Sequence, residues 1–273
     1  MSDKRFKGWY YKQRSGDYML AFIPGVASDG AFVQVIDSSG TKSFPMPYLF
    51  AAGDTVYTGN CVFSPQGVRV SLPGISGTLR YGKNTPLSSD IMGPFACLPM
   101  QCRHGVVSMD HTVNGRIRKD GRQYIFRNGS GYIEKDSGRS FPRSYLWLQC
   151  NDFSAPCSFM FSLAHIPFAG TSFTGCICAL MYRGKEYRFA TYRGVKVRRF
   201  GNRLRLRQGK FLLDIFFSPL SSGHALQAPL CGRMSESIRE SCDAYLHIRL
   251  RRAGCTIVES KSRRATCEER TGI

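Results

Sequence analysis

Residues 195–208 read VKVRRFGNRLRLRQ. In both arms of this stretch basic residues alternate with valines or leucines, and Gly201-Asn202 stands between the arms. A period of two places successive side chains on opposite faces of a strand, and Gly-Asn is a pair that turns the chain between two strands. The stretch therefore predicts a β-hairpin with one cationic and one apolar face, which we call the basic hairpin (residues 194–210).

Short apolar runs of the same kind extend in both directions from the basic hairpin, and the 28 glycines and 13 prolines fall between them. Long stretches of helical periodicity are absent. The best helix candidate is Ser235–Cys242, where Ser235 could cap the first turn. We predict an all-β protein with about eighteen short strands and one or two short helices. The main runs are 18–24, 31–37, 67–72, 75–81, 104–113, 122–127, 131–136, 144–150, 185–192, 203–208 and 244–251.

The length of 273 residues suits one large β domain or two barrels of about 130 residues each. Hydrophobic residues make up 42% of the chain, enough to fill a core and to exclude wholesale disorder. The last residues, 261–273, read KSRRATCEERTGI and are predicted to form a frayed tail.

The net charge is strongly positive, with 38 Lys and Arg against 19 Asp and Glu. Such a balance suits an anionic membrane surface or a nucleic acid. The cationic face of the basic hairpin is consistent with an ordinary solvent-facing hairpin or with a peripheral contact to lipid phosphates. Nucleic acid is the less favoured partner, because no aromatic stacking residues are interleaved on the charged face.

The cysteines and the N-terminal residues indicate in which cellular compartment the protein is expected. The 11 cysteines are odd in number and irregularly spaced, and MSDKRFKGWYYK lacks the apolar run of a signal peptide. Both features predict a reducing, cytoplasmic location with free thiols, at the membrane periphery if the basic hairpin docks there. Residues 153–182 carry no Asp, Glu, Lys or Arg, but prolines and glycines interrupt them. We therefore predict two buried strands there and not a transmembrane helix.

The segment GYIEKD (131–136) carries unusual chemistry. Alternation places Tyr132, Glu134 and Asp136 on one face and Ile133 and Lys135 on the other. In SYLWLQCN (144–151) the aromatic and polar residues likewise share a face opposite the aliphatic ones. If the aliphatic faces pack into the protein wall, the other faces would line a ligand cavity. The residues of the second segment on that face are Tyr145, Trp147, Gln149 and Asn151.

Two environments are open for the carboxylates. A dry pocket would disfavour the charged form and could hold Glu134 or Asp136 as a neutral acid that donates a proton. On a rim, the same carboxylates would pair with cations such as Lys135, Arg139 or Arg143 and stay charged.

The histidines give little support for a metal. His104 and His111 lie seven residues apart and so point to opposite faces of one strand. Cys97, Cys102 and His104 could bind zinc in principle, but no CxxC pair supports such a site. We predict neither a metal nor a cofactor, since nucleotide-binding and zinc-protease motifs are also missing. His104 is either a hydrogen-bonded structural histidine or part of a site.

Six motifs follow one another along the chain: FKGWYYK (6–12), HGVVSMDH (104–111), GYIEKDSGRSFP (131–142), LWLQCNDF (146–153), TSFTG (171–175) and RFATYRG (188–194). This ordered string, from about Phe6 to Arg252, resembles the tocopherol cyclase family. The family is related to carotenoid 1,2-hydratases, and the resemblance implies two lipocalin-like antiparallel β-barrels. We place the first over residues 1–128 and the second over 129–260. One departure is Ser137, where the family pattern Glu-Lys-Asp-Trp-Gly has tryptophan.

The resemblance implies acid-initiated chemistry on an isoprenoid. A tocopherol cyclase protonates an alkene of a prenylated quinol, and the phenol oxygen captures the tertiary carbocation to close a chromanol ring. Glu134 matches the acidic residue of the hydratase motif and is the expected proton donor, with Tyr132 and Asp136 orienting it and His104 as polar partner. Trp147 and Trp9 are expected to stabilise a cation, and Gln149 or Asn151 to hold a ring oxygen. Trp9 and Tyr10 fit equally well as core residues that close a barrel end.

Two functional hypotheses follow. The first is a cofactor-independent cyclase or hydratase, and the second is a non-catalytic carrier or sensor of a prenylquinone or other lipid. The enzyme requires a carboxylate that faces the cavity and is shielded from arginine. The carrier tolerates exposed carboxylates neutralised by Arg139 and Arg143.

Overall fold

The computed structural model describes residues 5–168 and 170–270. Within these residues 21 strands form two antiparallel sheets, and two short 3₁₀ turns lie at Gly93–Cys97 and Thr191–Arg193. The all-β prediction is confirmed. The strands of the first sheet are β1 Phe6–Ser15, β2 Tyr18–Ala27, β3 Gly30–Asp37, β4 Gly40–Met46, β5 Phe50–Ala52, β6 Thr55–Thr58, β7 Cys61–Ser64, β8 Gly67–Leu72, β9 Ile75–Tyr81, β10 Cys102–Lys119 and β11 Arg122–Gly138.

The second sheet follows in the chain. Its strands are β12 Tyr145–Cys150, β13 Cys157–Phe168, β14 Thr171–Tyr182, β15 Lys185–Ala190, β16 Lys196–Phe200, β17 Arg203–Gln208, β18 Phe211–Pro219, β20 Arg233–Arg252 and β21 Cys255–Arg270, with β19 His224–Leu230 paired to β20.

The first sheet curls around one hydrophobic core. Its strand order is β4-β3-β2-β1-β11-β10-β9-β8-β7-β6-β5. Phe63 on β7 nevertheless packs against Tyr11 on β1 and Phe22 on β2, with ring centroids 5.6 and 5.9 Å apart. Strands that are far apart in the sheet order can meet only if the sheet bends back on itself. Ile133 and Val113 belong to the same core.

Two glycines permit the close approach of the paired strands β9 and β10 within this curl. A Cβ at Gly77 would lie 2.3 Å from the carbonyl oxygen of Arg116, and one at Gly115 would lie 2.3 Å from that of Thr78. Their φ angles of +146° and +138° are also unfavourable for residues with a side chain. Both positions therefore require glycine for steric and conformational reasons.

The second sheet has a core of its own, built from the alternating apolar residues of its strands. Leu146 and Leu148 of β12 pack there with Phe159 and Phe161 of β13. The uncharged segment 153–182 contains β13 and β14, so the prediction of two strands in this segment is confirmed. Among the described residues, no helix is both long and apolar enough to cross a membrane.

Contacts divide the chain into two compact units. The first comprises the described parts of Met1–Leu87, Cys102–Phe141 and Leu226–Ser237, and the second comprises those of Ser88–Gln101, Pro142–Ala225 and Ile238–Ile273. Each unit is thus assembled from separate segments. The predicted boundary between residues 128 and 129 falls inside β11, because that long strand runs through the first unit without a break.

Two local predictions at the C-terminal end are wrong. Residues 235–242 form part of β20 and not a helix, because this strand pairs with β19 and β21 and pairing overrides weak local helix signals. Residues 261–270 form the second half of β21 and not a frayed tail; β21 lies between β12 and β20, and Ala265, Thr266 and Cys267 are buried. Residues 271–273 lie outside the described residues.

Candidate active site

Three neighbouring strands of the first unit hold a polar cluster on the sheet face opposite the core. In the register of β11, Glu134 lies opposite Tyr10 of β1 and Val106 of β10, and Asp136 lies opposite His104 of β10. Directly paired residues point to the same face of a sheet. Ile133, one residue before Glu134, packs into the core as the alternation predicted.

The cluster is a chain of close polar contacts. His104 Nδ1 lies 3.0 Å from Asp136 Oδ1, and His104 Nε2 lies 3.4 Å from Glu134 Oε2. On the other side of Glu134, Tyr132 Oη donates a hydrogen bond of 2.6 Å to Oε2. Cys102 Sγ lies 3.7 Å from Asp136 Oδ1. One imidazole thus connects two carboxylates.

His104 lies between the two carboxylates. Its ring nitrogens face different groups: Nδ1 is at hydrogen-bond distance from Asp136, and Nε2 is at ion-pair distance from Glu134. An imidazole nitrogen can donate or accept a hydrogen bond, depending on which nitrogen carries the hydrogen. We call these two residues the Glu134–His104 pair.

The groups around the pair are neutral donors. Burial, and the neighbouring carboxylate of Glu134, raise the pKa of Tyr132 well above its usual value. Burial and Asp136 raise the pKa of the Cys102 thiol in the same way. Both side chains therefore keep their hydrogens at neutral pH and donate them to the carboxylates. From the sequence, Cys102 was a candidate only as a zinc ligand; its spacing of two from His104 on one strand was the signal for a shared face.

The two carboxylates differ in exposure. Glu134 is buried, and the Asp136 side chain is 20% exposed. Within residues 5–168 and 170–270, no ion pair joins either of them to Arg139 or Arg143. Lys135 points to the other face, where its ammonium pairs with Asp54.

The aromatic residues predicted near the carboxylates divide between faces. Tyr10 lies on the face of Glu134 and is buried. Trp9 lies on the opposite face, in the core with Tyr11 and Ile133, so the structure favours its interpretation as a core residue. The physical reason is the two-residue period of β1, which cannot turn both Trp9 and Tyr10 toward one site.

Trp147, Gln149 and Asn151 belong to the second unit, whereas His104, Glu134 and Asp136 belong to the first. On β12 the side chains of Trp147 and Gln149 are buried on the face opposite the core residues Leu146 and Leu148. Gln149 Nε2 donates a 3.4 Å hydrogen bond to Asn151 Oδ1, so these two amides contact each other as their spacing predicted.

One set of donor atoms in the described chain could hold a cation. Atoms of His104, Glu134 and Asp136 all lie within 4.8 Å of one another. The nitrogen and two carboxylate oxygens are suitable for a divalent metal, but the imidazole already contacts both carboxylates directly. Cys97, considered from sequence as a zinc ligand, is exposed and is not part of this set of donor atoms.

Comparison with known proteins places this chain in a family. The sequence profile described as tocopherol cyclase-like matches residues 74–271, which include the whole His104–Asp136 cluster. The chain belongs to the tocopherol cyclase-like family. Among curated proteins, it is 28% identical over 159 residues to a probable chloroplastic tocopherol cyclase of Oryza sativa subsp. japonica, over 55% of this chain and 34% of that one. It is 27% identical over 169 residues to a chloroplastic tocopherol cyclase of Zea mays, over 58% of this chain and 36% of that one.

The chain thus spans about a third of the length of these curated relatives. Two solved structures share its fold. A protein described as AttH, from Nitrosomonas europaea, has a TM-score of 0.54 and 13% identity, over 97% of this chain and 92% of that one. CghA, solved with Sch210972, has a TM-score of 0.63 and 11% identity, over 97% and 88%. These likenesses support the lipocalin-like fold class.

The departure of this tocopherol cyclase-like chain at Ser137 lies away from the carboxylates. Ser137 is the residue after Asp136 on β11, and it pairs with Lys7 of β1 and Arg103 of β10. Its side chain therefore points to the face of Lys135 and not to that of Glu134. A tryptophan side chain at this position would therefore not contact Glu134 or Asp136 on the opposite face.

The family motif RFATYRG contains a residue for which the sequence predicted no role. Arg188 is 4% exposed and holds the segment before β10 within the second unit. Its guanidinium donates to the carbonyl oxygens of Ser89 and Asp90 at 2.8 and 2.7 Å and to Glu186 Oε1 at 2.6 Å. Tyr192 Oη adds a 3.0 Å hydrogen bond to the carbonyl of Ile91. The motif therefore positions a loop and lies outside the His104 cluster.

His111, at the end of the motif HGVVSMDH, lies on the core side of β10, so the predicted opposition to His104 is confirmed. Its ring packs 4.4 Å from that of Tyr81, and Nδ1 lies 3.0 Å from Ser108 Oγ. Nε2 is buried and has no hydrogen-bond partner among the residues described. Burial lowers the pKa of His111 from 6.5 to about 4, because the charged imidazolium would lose its contact with water.

This histidine predicts a pH dependence of stability. The pKa of His111 falls from 6.5 to about 4 on folding, so the unfolded chain binds the extra proton more readily. Stability is therefore full above pH 6.5 and decreases as the pH falls toward 4, by about 1.4 kcal/mol per pH unit within that window. Urea unfolding of wild type and His111→Gln across this range measures the effect. The variant should lose this dependence, and an equal slope in both proteins would contradict the assignment.

Proposed function

We propose that this tocopherol cyclase-like chain binds a prenylquinol-type isoprenoid and catalyses acid-initiated cyclisation of its prenyl double bond to a chromanol. The observation that carries the proposal is the close approach of the buried Glu134 to His104, whose Oε2 and Nε2 atoms are 3.4 Å apart. Family membership supports the reaction class, and the buried position of Glu134 supports a neutral acid.

The chemistry needs no external reductant or oxidant. Glu134 delivers the proton to one alkene carbon, and the pair of π electrons forms the new C–H bond. The adjacent tertiary carbon becomes cationic, and the phenol oxygen donates an electron pair to it to form the C–O bond. The phenol proton returns to the Glu134–His104 pair, so the site is regenerated.

The surrounding side chains orient and restrain this acid. Tyr132 holds Glu134 Oε2 through its hydrogen bond, and Asp136 fixes the histidine tautomer through Nδ1. The aromatic ring of Tyr10, opposite Glu134 on the same face, would stabilise positive charge as it develops. Tyr132, His104 and Asp136 are positioning residues in this scheme, and Glu134 is the catalytic acid.

Incubation of the purified protein with a prenylated hydroquinone under anaerobic conditions tests the proposal. Chromatography should show a chromanol of unchanged mass, formed in proportion to protein concentration. Native mass spectrometry of the same samples should show the bound quinol. Binding without conversion would support the carrier instead, and absence of both would refute the ligand class.

A further inference from the structure

The outer face of the first sheet carries an arginine-rich surface that the proposed chemistry does not use. Five arginines project from the four neighbouring strands β8, β9, β10 and β11, and all are exposed. Within residues 5–168 and 170–270, none of the five forms an ion pair. We call this surface the arginine face; its residues are Arg69, Arg80, Arg116, Arg118 and Arg127.

Strand register aligns part of this face into one continuous row. Ile125 of β11 pairs with Arg116, which pairs with Thr78, and Thr78 pairs with Arg69. From Arg69 the row continues through three further strands of the same sheet. It spans seven strands, about 29 Å along the sheet at 4.8 Å per strand. The further members are Val62 of β7, Tyr57 of β6 and Phe50 of β5.

Exposed apolar side chains stand at both ends of the row. Phe50 is 62% exposed, Tyr57 is 40% exposed and Ile125 is 50% exposed. The rings of Phe50 and Tyr57 contact each other, with centroids 6.1 Å apart. Apolar side chains beside uncompensated arginines are the combination that binds the interface of an anionic bilayer.

A shallow groove of about 800 Å³ opens beside the row. Arg80, Arg116 and Arg127 line it, together with Gln123 and Asn114. Guanidinium groups bind phosphate through paired N–H donors, so the groove has room and donors for a lipid headgroup.

The outer face of the second sheet differs in its charge balance. There Arg205 of the basic hairpin pairs with Asp214 at 2.6 Å, and Arg249 pairs with Glu259 at 2.8 Å. Acidic residues on the same sheet thus neutralise part of the positive charge of that surface. The basic hairpin was the contact predicted from sequence, whereas in the described part of the chain no residue of the arginine face is neutralised by an ion pair.

We infer that the arginine face, with Phe50, Tyr57 and Ile125, docks the protein on an anionic lipid bilayer. A single-stranded nucleic acid fits less well, because stacking requires aromatic rings interleaved with the cations. Here the two rings pack against each other at one end, and the other end is aliphatic. This docking does not depend on the proposed chemistry.

Cosedimentation with phosphatidylcholine vesicles, with and without phosphatidylserine, tests the inference. Wild type should bind only the anionic vesicles, and Arg69→Gln/Arg116→Gln should bind about thirtyfold more weakly at low salt. The matched control, Arg198→Gln/Arg207→Gln in the basic hairpin, removes the same charge and should stay within about threefold of wild type.

A fluorescence measurement reports the orientation independently. Trp9 and Trp147 are both buried, so a Phe50→Trp variant adds an exposed indole whose emission should shift to shorter wavelength on anionic vesicles. Equal loss of binding in the control variant, or an unshifted emission with vesicles bound, would overturn the inference. Tighter binding to a single-stranded oligonucleotide, lost in the same double variant, would also overturn it.

Discussion

Glu134→Gln should lower the rate of chromanol formation by about 10²–10⁴-fold while leaving quinol affinity within a few-fold of wild type. Glutamine has almost the same shape as glutamic acid, and its amide oxygen can still accept the hydrogen bond from Tyr132. It has no acidic proton to deliver to an alkene. The loss should therefore appear in kcat, measured by chromatography of the product, with KM and the melting temperature little changed.

A matched control separates this effect from a general loss of charge. Asp17 is an exposed carboxylate at the turn between β1 and β2, and Asp17→Asn should keep full activity. His104→Gln should reduce the rate and alter its pH profile, because Glu134 would lose the neighbouring imidazole. Unchanged turnover in Glu134→Gln would exclude it as the acid, whereas unchanged binding would leave the ligand assignment intact.

Arg188→Leu should destabilise the second unit by about 3–5 kcal/mol. Arg188 is buried and donates five hydrogen bonds, to Glu186, Ser89, Asp90 and Tyr192. Burial alone would raise the pKa of Glu186, but hydrogen bonds from the Ser88 N–H and from Arg188 hold it below its usual value. Leucine would remove the cation and leave this half-buried carboxylate without its charge partner.

Urea unfolding and hydrogen exchange measure both consequences. Amides of the segment 88–98 should exchange faster in the variant, because the carbonyl and hydroxyl contacts that Arg188 makes with Ser89 and Asp90 are lost. Arg207→Leu is the control: Arg207 is exposed on β17, and its replacement should change stability by about 0.5 kcal/mol or less. In a double-mutant cycle, Glu186→Gln should cost less in the Arg188→Leu background than in wild type. Equal costs would show that the two residues act independently.

Patterns within one strand were sufficient for several features. The alternation in GYIEKD correctly placed Ile133 in the core and Glu134 and Asp136 on the opposite face. The basic hairpin forms as β16 and β17, with Lys196 opposite Arg207 and Leu204 and Leu206 buried. These properties follow from the two-residue period of an extended backbone, which is present in the sequence itself.

Pairing between strands distant in sequence was not predictable in the same way. The segment 235–242 has weak helix signals, yet it extends β20 because β19 and β21 supply its hydrogen-bond partners. Residues 261–270 look polar, but β12 and β20 enclose them on both sides. Burial and the hydrogen bonds to neighbouring strands are properties of the assembled sheet, and they outweigh the secondary-structure propensity of the local sequence.

The candidate site shows the same division. Residue types and alternation indicated Tyr132, Glu134 and Asp136, because all three lie on one face of the same strand. His104 was indicated as their polar partner only by the family resemblance. The contact of one imidazole with two carboxylates arises from the register of β10 against β11, which shifts at several points along the pair. Local sequence determines which face a side chain occupies, whereas distances between side chains on different strands are set by the packing and hydrogen bonding of the whole sheet.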